Sequence, residues 1–83
     1  MNVEQLIERY IVEEIMFGNG QDKLEPEQSL ISSGILDSVA LLRLIAFIEE
    51  QFRVKITDGE VIPDNFETLN NIKTFLEQKL QIH

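Results

Sequence analysis

The stretch that decides the fold is residues 34–52, which reads GILDSVALLRLIAFIEEQF. From Asp37 onward it has no Gly or Pro and is rich in Leu, Ala, Ile and Glu, which predicts a helix from Asp37-Ser38 to about Phe52. Arg43 is its one charged residue between Ser38 and Ile48. A helix that is apolar on nearly every side is surrounded by neighbours or presents a face to a partner. Because 83 residues can hardly enclose it, we expect accessible apolar surface at its N-terminal end.

Amphipathic patterns predict helices on both sides of this stretch. Upstream, apolar residues recur at steps of three and four from about residue 3 to about residue 16, with Asn2 as N-cap and Gly18 beyond the C-terminus. Downstream, Pro63 suits the start of a short helical turn to about Phe66, and Thr68 suits the N-cap of a last helix. In the central helix we expect five residues in the core: Leu41, Leu44, Ile45, Ile48 and Phe52.

The connections lack regular periodicity. Between Gly18 and Leu36 the pattern predicts a long loop with four apolar anchors, Leu24, Leu30, Ile31 and Ile35. Residues 53–56 alternate polar and apolar but have no second strand to pair with, so we predict an extended connector and then a turn at residues 57–60. The predicted architecture is a single all-α domain over residues 1–83, a small four-helix bundle of three longer helices and one short one.

The composition narrows the classes of partner. Fifteen acidic and seven basic residues give a formal net charge of −8, so nucleic acid and anionic membranes should repel the protein. Basic proteins are the more favourable partners, and this charge favours a monomer. The chain begins without the pattern of a signal peptide and has no apolar run near the ~18 residues of a membrane span, so we expect a cytoplasmic location and no membrane insertion.

Few residues in the sequence are of the types that commonly catalyse reactions or bind transition metals. The chain has no Cys, and its one His, His83, is the final residue. No nucleophile, base and acid set is recognisable, and Asp58-Gly59-Glu60 lacks the ligand spacing of a calcium loop. We therefore predict no catalytic residue and no metal ligand, and we expect a protein that is not an enzyme.

A serine at the start of the central helix is the remaining candidate. Asp37 and Ser38 alone have a plain structural interpretation, with Asp37 as an N-cap and Ser38 as the first helical residue. In context, GILDSV at 34–39, LLRL at 41–44, EEQF at 49–52 and PDNFETL at 63–69 together resemble the acyl and peptidyl carrier protein family, over essentially the whole chain. Members of this family are four-helix proteins that bear 4′-phosphopantetheine on a serine. The resemblance implies that Ser38 is the modified serine and that Asp37 helps the modifying transferase to recognise it.

The sequence departs from the fatty-acid-synthesis members of that family. Gly34 lies four residues before Ser38 and not three, which looks more like the discrete carriers of amino-acid-activating ligases, such as the D-alanyl carrier. Ala40 and Arg43 stand where the fatty-acid carriers have acidic residues. Recognition should therefore depend less on charge and more on apolar surface. The residues expected to be exposed for partner recognition are Val39, Ala40, Leu42 and Arg43, with Ile62 as a further candidate and no acyl pocket predicted beside it.

The expected function is a stand-alone carrier that holds an acyl or aminoacyl group as a thioester. The resemblance implies covalent 4′-phosphopantetheine derived from coenzyme A, a Mg²⁺-dependent phosphopantetheinyl transferase, and an adenylating acyl or aminoacyl ligase as partners. Two alternatives stay open. One is a fatty-acid-synthesis carrier served by synthase enzymes. The other, from a different class, is a small helical protein–protein adaptor without a prosthetic group, in which Ser38 belongs only to a helix cap.

Overall fold

The computed structural model describes residues 2–16 and 24–80. The α-helices within these ranges are α1 (Val3–Tyr10), α2 (Ser38–Phe52), α3 (Pro63–Phe66) and α4 (Leu69–Leu80). No strand occurs in the two ranges, so the prediction of an all-α fold with three longer helices and one short one is confirmed. None of the helices in the described part of the chain is long and apolar enough to cross a membrane.

The first helix begins as predicted and changes its geometry halfway. Asn2 Oδ1 accepts a hydrogen bond from Gln5 N at 2.7 Å, and Gln5 Oε1 accepts one from Asn2 N at 3.5 Å, which completes a capping box. After Tyr10 the chain continues as one wide π turn over Ile11–Ile15. The expected extent to about residue 16 is therefore correct, although the wide turn was not predicted. Gly18, the expected end of this helix, lies outside the described residues.

The central helix spans the predicted residues and packs as predicted. Leu44, Ile45 and Ile48 are buried, while Leu41 and Phe52 are partly buried against the core. The helix ends at Arg53, which adopts a left-handed conformation at φ 55°. A non-glycine residue rarely takes this conformation, so the sequence offered no glycine signal for it.

The buried apolar residues form one core to which all four α-helices, the π turn and the loop before α2 contribute. Its members are Ile7, Ile11, Val12, Leu24, Leu30, Leu36, Ala40, Leu44, Ile45, Ile48, Ile56, Phe66, Leu69, Ile72 and Leu76. The loop before α2 contributes Leu24, Leu30 and Leu36 to this core. Leu24 and Leu30 are two of the four predicted loop anchors, and both are buried. The other two, Ile31 and Ile35, are partly buried against it.

Two caps stabilise the helices of the C-terminal half, one at Thr68 and one formed by Thr57 and Glu60. Thr68 Oγ1 accepts a hydrogen bond from Asn71 N at 3.0 Å, which confirms Thr68 as the N-cap of α4. The predicted turn at residues 57–60 is a short 3₁₀-helix over Asp58–Glu60. The carboxylate of Glu60 accepts from Thr57 N at 2.9 Å and pairs with Lys79 of α4 at 2.9 Å. These contacts, the Thr57 bond first, hold the pKa of Glu60 below its usual range.

Truncation of a loop anchor tests whether the loop belongs to the core. The side chain of Leu30 is fully buried, so Leu30→Ala should lower the free energy of unfolding by about 2–5 kcal/mol. Leu42→Ala is the matched control, because 65% of Leu42 is exposed and its truncation should change the stability by less than about 0.5 kcal/mol. Urea denaturation followed by circular dichroism measures both. Equal, small losses would contradict the packing of the loop.

Candidate functional site

The start of α2 presents Ser38 to solvent. Asp37 has an extended backbone, and its Oδ1 accepts a hydrogen bond from Ala40 N at 2.8 Å. Its carbonyl accepts from Leu41 N at 2.8 Å. Asp37 is thus the N-cap and Ser38 the first residue of the helix, with both side chains exposed. The side chain of Asp37 therefore caps one N–H at the helix start, and the hydroxyl of Ser38 is open to another molecule.

The segment before Asp37 is folded onto itself. Gly34 adopts a positive φ of 88°, and its N–H donates to the carbonyl of Ile31 at 3.0 Å. Leu36 N donates to the carbonyl of Leu30 at 2.8 Å, and these two leucines are buried. Ser33 Oγ donates to the Ser29 carbonyl at 2.7 Å. This compact loop fixes the point from which Asp37 enters the helix.

The same loop is bonded to the junction between α3 and α4. Leu30 N donates to the carbonyl of Glu67 at 2.7 Å. The carboxylate of Glu67 accepts a hydrogen bond from Ser29 Oγ, and it accepts two from Ser32, from N and Oγ, at 3.3 Å each. The bond from Ser29 is the main cause that lowers the pKa of Glu67. The sequence analysis missed Glu67 because its partners lie 35 and 38 residues away, beyond any local pattern.

The exposed residues that follow Ser38 on α2 include two large apolar side chains and one cation. Val39 is 68% exposed and Leu42 is 65% exposed, and Arg43 is also exposed. Ile62, just before α3, is 42% exposed. The expected exposure of Ala40 is wrong, because only 8% of this residue is accessible. Ala40 shares a helix face with Leu44 and Ile48 at steps of four, and that face is turned to the core.

A shallow open groove runs beside this helix end. It holds about 300 Å³, and its walls include Ile15, Ile35, Val39 and Arg43. Within the described ranges, Arg43 forms no ion pair with a carboxylate. The groove is continuous with Asp37, so the approach to the start of α2 is open on this side.

Two apolar residues close to Ile62 in the sequence have packing roles. Phe66 is fully buried, and Val61 is partly buried against the core. No group of three or more acidic, His or Cys side chains that could hold a metal ion occurs in the part of the chain that the structure describes. His83 lies outside that part.

Comparison with known proteins identifies the class. The family model described as "Phosphopantetheine attachment site" matches residues 5–76. The "Probable acyl carrier protein PigG" of Serratia sp. (strain ATCC 39006) is 32% identical over 63 residues, which are 76% of this chain and 71% of that protein. The chain therefore belongs to the phosphopantetheine attachment family. It is a carrier protein, and 4′-phosphopantetheine is its prosthetic group.

A solved structure shares the fold. A chain from the "Crystal structure of FAD-dependent dehydrogenase" is similar with a TM-score of 0.76 and 31% identity. The match covers 84% of this chain and 97% of that chain, so the shared fold is nearly the whole of both. The geometry fits a covalent arm, because an exposed hydroxyl at the start of a helix has open space beside it.

Two substitutions of Asp37 separate its cap from its charge. Asp37→Ala removes the bond to Ala40 N and should lower the free energy of unfolding by about 0.5–2 kcal/mol. Asp37→Asn keeps a side-chain oxygen in the same place and should be close to the wild type in stability. Thermal or urea denaturation measures both variants. If Asp37→Asn lowered the free energy of unfolding as much as Asp37→Ala, the role of Asp37 as the N-cap would be contradicted.

Proposed function

We propose that this protein is a stand-alone acyl carrier whose 4′-phosphopantetheine is bonded to Ser38, and that it delivers an acyl or aminoacyl thioester between separate enzymes. The observation that carries the proposal is the state of the four serines of the chain. The hydroxyls of Ser29 and Ser32 donate hydrogen bonds to the Glu67 carboxylate, and the hydroxyl of Ser33 donates one to the Ser29 carbonyl. Within residues 2–16 and 24–80, the Ser38 hydroxyl has no such partner and is exposed. Ser38 is thus the serine best placed to meet an enzyme.

The chemistry of the chain supports a carrier. It contains no Cys, so the thiol that forms a thioester must come from the prosthetic group. During attachment, Ser38 Oγ bonds to the phosphorus next to the pantetheine of coenzyme A, and the bond to the adenosine bisphosphate leaving group breaks. Among the described residues, the Ser38 hydroxyl donates no hydrogen bond to a protein acceptor, so we assign the removal of its proton to the transferase. The N–H groups at the start of α2 favour the phosphate on Ser38.

The mass of the intact protein tests the attachment. Incubation with coenzyme A, Mg²⁺ and a broad-specificity phosphopantetheinyl transferase should add one phosphopantetheinyl group to the wild type and none to Ser38→Ala. Ser33→Ala is the control, because Ser33 is a loop serine with its hydroxyl bonded to Ser29, and it should still be modified. An unchanged mass of the folded wild type, or modification of Ser38→Ala, would contradict the proposal.

For the cargo, we favour an acyl or aminoacyl group supplied by an adenylating ligase in a specialised biosynthetic pathway. Two features support this choice: the spacing of Gly34 and Ser38, and the absence of acidic residues between Ser38 and Ile48. The similar chain from the crystal structure of an FAD-dependent dehydrogenase makes a flavoenzyme of that kind a further candidate partner. The fatty-acid-synthesis carrier stays the alternative. The family match disfavours the adaptor without a prosthetic group.

We propose that partners contact a docking face formed by Val39, Leu42, Arg43 and Ile62. The three apolar members are the large apolar side chains most exposed in the described structure. The face carries one cation on a protein of net charge −8, so it differs in charge from the rest of the surface. Ala40, which the sequence analysis included, is left out because it is buried.

Truncation and charge reversal on this docking face test partner recognition. Leu42→Ala and Arg43→Glu in the phosphopantetheinylated protein should each raise the KM of ATP-dependent loading by an adenylating ligase about fivefold or more, since central contacts of an interface cost over about 1 kcal/mol. Lys55→Ala, an exposed cation beyond the far end of α2, is the control and should leave KM unchanged. An unchanged KM in both test variants would contradict the docking face. If a malonyl transferase loaded the protein and no adenylating ligase did, the fatty-acid-synthesis carrier would be favoured.

The setting of the protein follows from the same proposal. We propose a monomer in the cytoplasm that acts as one domain over residues 1–83. The net charge of −8 supports a monomer through mutual repulsion. A carrier of this kind shuttles between enzymes, so a small diffusing unit suits its role.

A further inference from the structure

Glu67 is the polar contact point between the junction of α3 and α4 and the loop that leads to Ser38. Its carboxylate accepts hydrogen bonds from Ser29 Oγ, Ser32 N and Ser32 Oγ. Its carbonyl accepts a fourth from Leu30 N at 2.7 Å. One residue therefore meets three donors with its side chain and one with its backbone.

The loop connects the Glu67 contact to the start of α2. Leu36 N is bonded to the Leu30 carbonyl at 2.8 Å, and Leu36 is followed directly by the cap Asp37 and by Ser38. Gly34, Ile35 and Asp37 also form part of the groove beside this helix end. An enzyme that reaches Ser38 Oγ must cover the neighbouring surface, which includes this part of the loop. The orientation of the loop is therefore part of what that enzyme binds.

We propose that Glu67 is a positioning residue for the modification of Ser38, because its carboxylate holds the loop in the orientation that the phosphopantetheinyl transferase binds. This inference rests on the proposed function and concerns a residue with no part in the chemistry. Glu67 acts through Ser29 and Ser32, which it orders. Among the described residues, no hydrogen bond joins Glu67 to Ser38.

The polar contact and the apolar anchors have separate roles. Leu30 and Leu36 are buried and attach the loop to the core, so removal of the Glu67 carboxylate should leave the protein folded. It should instead let the segment around Ser29 and Ser32 take several orientations. When only a fraction of the molecules has the competent orientation, the apparent affinity falls by that fraction, while turnover at saturation is unchanged. The signature is a higher KM with the same kcat.

The charge of Glu67 is available for this role at physiological pH. The bond from Ser29 is the main cause that holds the pKa of Glu67 below its usual value of 4.5, and the bonds from Ser32 add to it. A carboxylate with a lowered pKa in the folded state contributes its stability above the unfolded value and loses it as the pH falls through the folded pKa. The contact is thus complete at neutral pH and weakens only in acid below about pH 4.5.

Transferase kinetics with the full chain, coenzyme A and Mg²⁺ test the inference through a mutant cycle. Glu67→Ala should raise the KM for the protein about fivefold or more at unchanged kcat, since bonds to a charged group are lost. The double variant Ser29→Ala/Ser32→Ala should give a rise of similar size. The triple variant should be no worse than either, because all three residues belong to one contact. Glu67→Gln, which keeps an acceptor oxygen, should recover part of the wild-type KM.

Glu49→Ala is the matched control. Its carboxylate also accepts a backbone hydrogen bond, from Ile56 N at 2.8 Å, but it lies eleven residues after Ser38, about 16 Å along the helix. It should lose stability without a change in KM. An unchanged KM in folded Glu67→Ala would overturn the inference. It would also be overturned if the KM increases of Glu67→Ala and of the serine pair multiplied in the triple variant. If Glu67→Ala fails to fold, the serine pair alone decides it by the same KM criterion.

These outcomes are separate from a failure of the proposed function. If Ser38 is not the modified serine, the wild type fails to gain mass or Ser38→Ala gains it, and the inference about Glu67 falls with it. If Ser38 is modified and the KM values of the wild type and of Glu67→Ala agree, the function stands and only the positioning role of Glu67 is lost.

Discussion

The burial of Leu30 and Leu36 is the constraint on which the rest of the structure depends. Both residues lie in a loop without helical periodicity, and both are placed in the same core as α1, α2 and α4. A bond between Leu36 N and the Leu30 carbonyl closes the segment between them. Because Asp37 follows at once, the core itself sets where α2 begins. The exposed position of Ser38 is thus a consequence of what is buried before it.

The first turns of α2 divide two tasks between opposite faces. Ala40, Leu44 and Ile48 hold the helix in the core, while Val39 and Leu42 remain in solvent. Exposed apolar side chains such as Val39 and Leu42 promote aggregation when no partner covers them. The exposed residues make sense when other proteins cover them in turn. This arrangement suits a carrier that must bind several enzymes without binding any of them permanently.

Much of the fold could be predicted from the sequence because it is encoded locally. The N-caps Asn2, Asp37 and Thr68 are predictable because each is a capping residue directly before a helical pattern of apolar residues. All three accept the expected hydrogen bonds. The motif around Ser38 likewise lies within a few residues. The exposure of Ala40 was misjudged because sequence alone does not fix the rotation of a helix that is apolar on nearly every side.

The features that escaped the sequence are those set by distant contacts. Glu67 has its loop partners 35 and 38 residues upstream, so no spacing rule connects them. The wide turn over Ile11–Ile15 and the left-handed Arg53 carry no residue signal of their own. The identity of the cargo has no local code either, since it depends on the enzymes that load the protein.

The central claim is that the prosthetic group is bonded to Ser38, and the most direct measurement is localisation of the modification by tandem mass spectrometry. Trypsin releases residues 24–43, which contain all four serines of the chain. In protein modified by a phosphopantetheinyl transferase, fragment ions should place the added mass between Ser33 and Arg43, on Ser38. An added mass on Ser29, Ser32 or Ser33, or none on this peptide, would contradict the account.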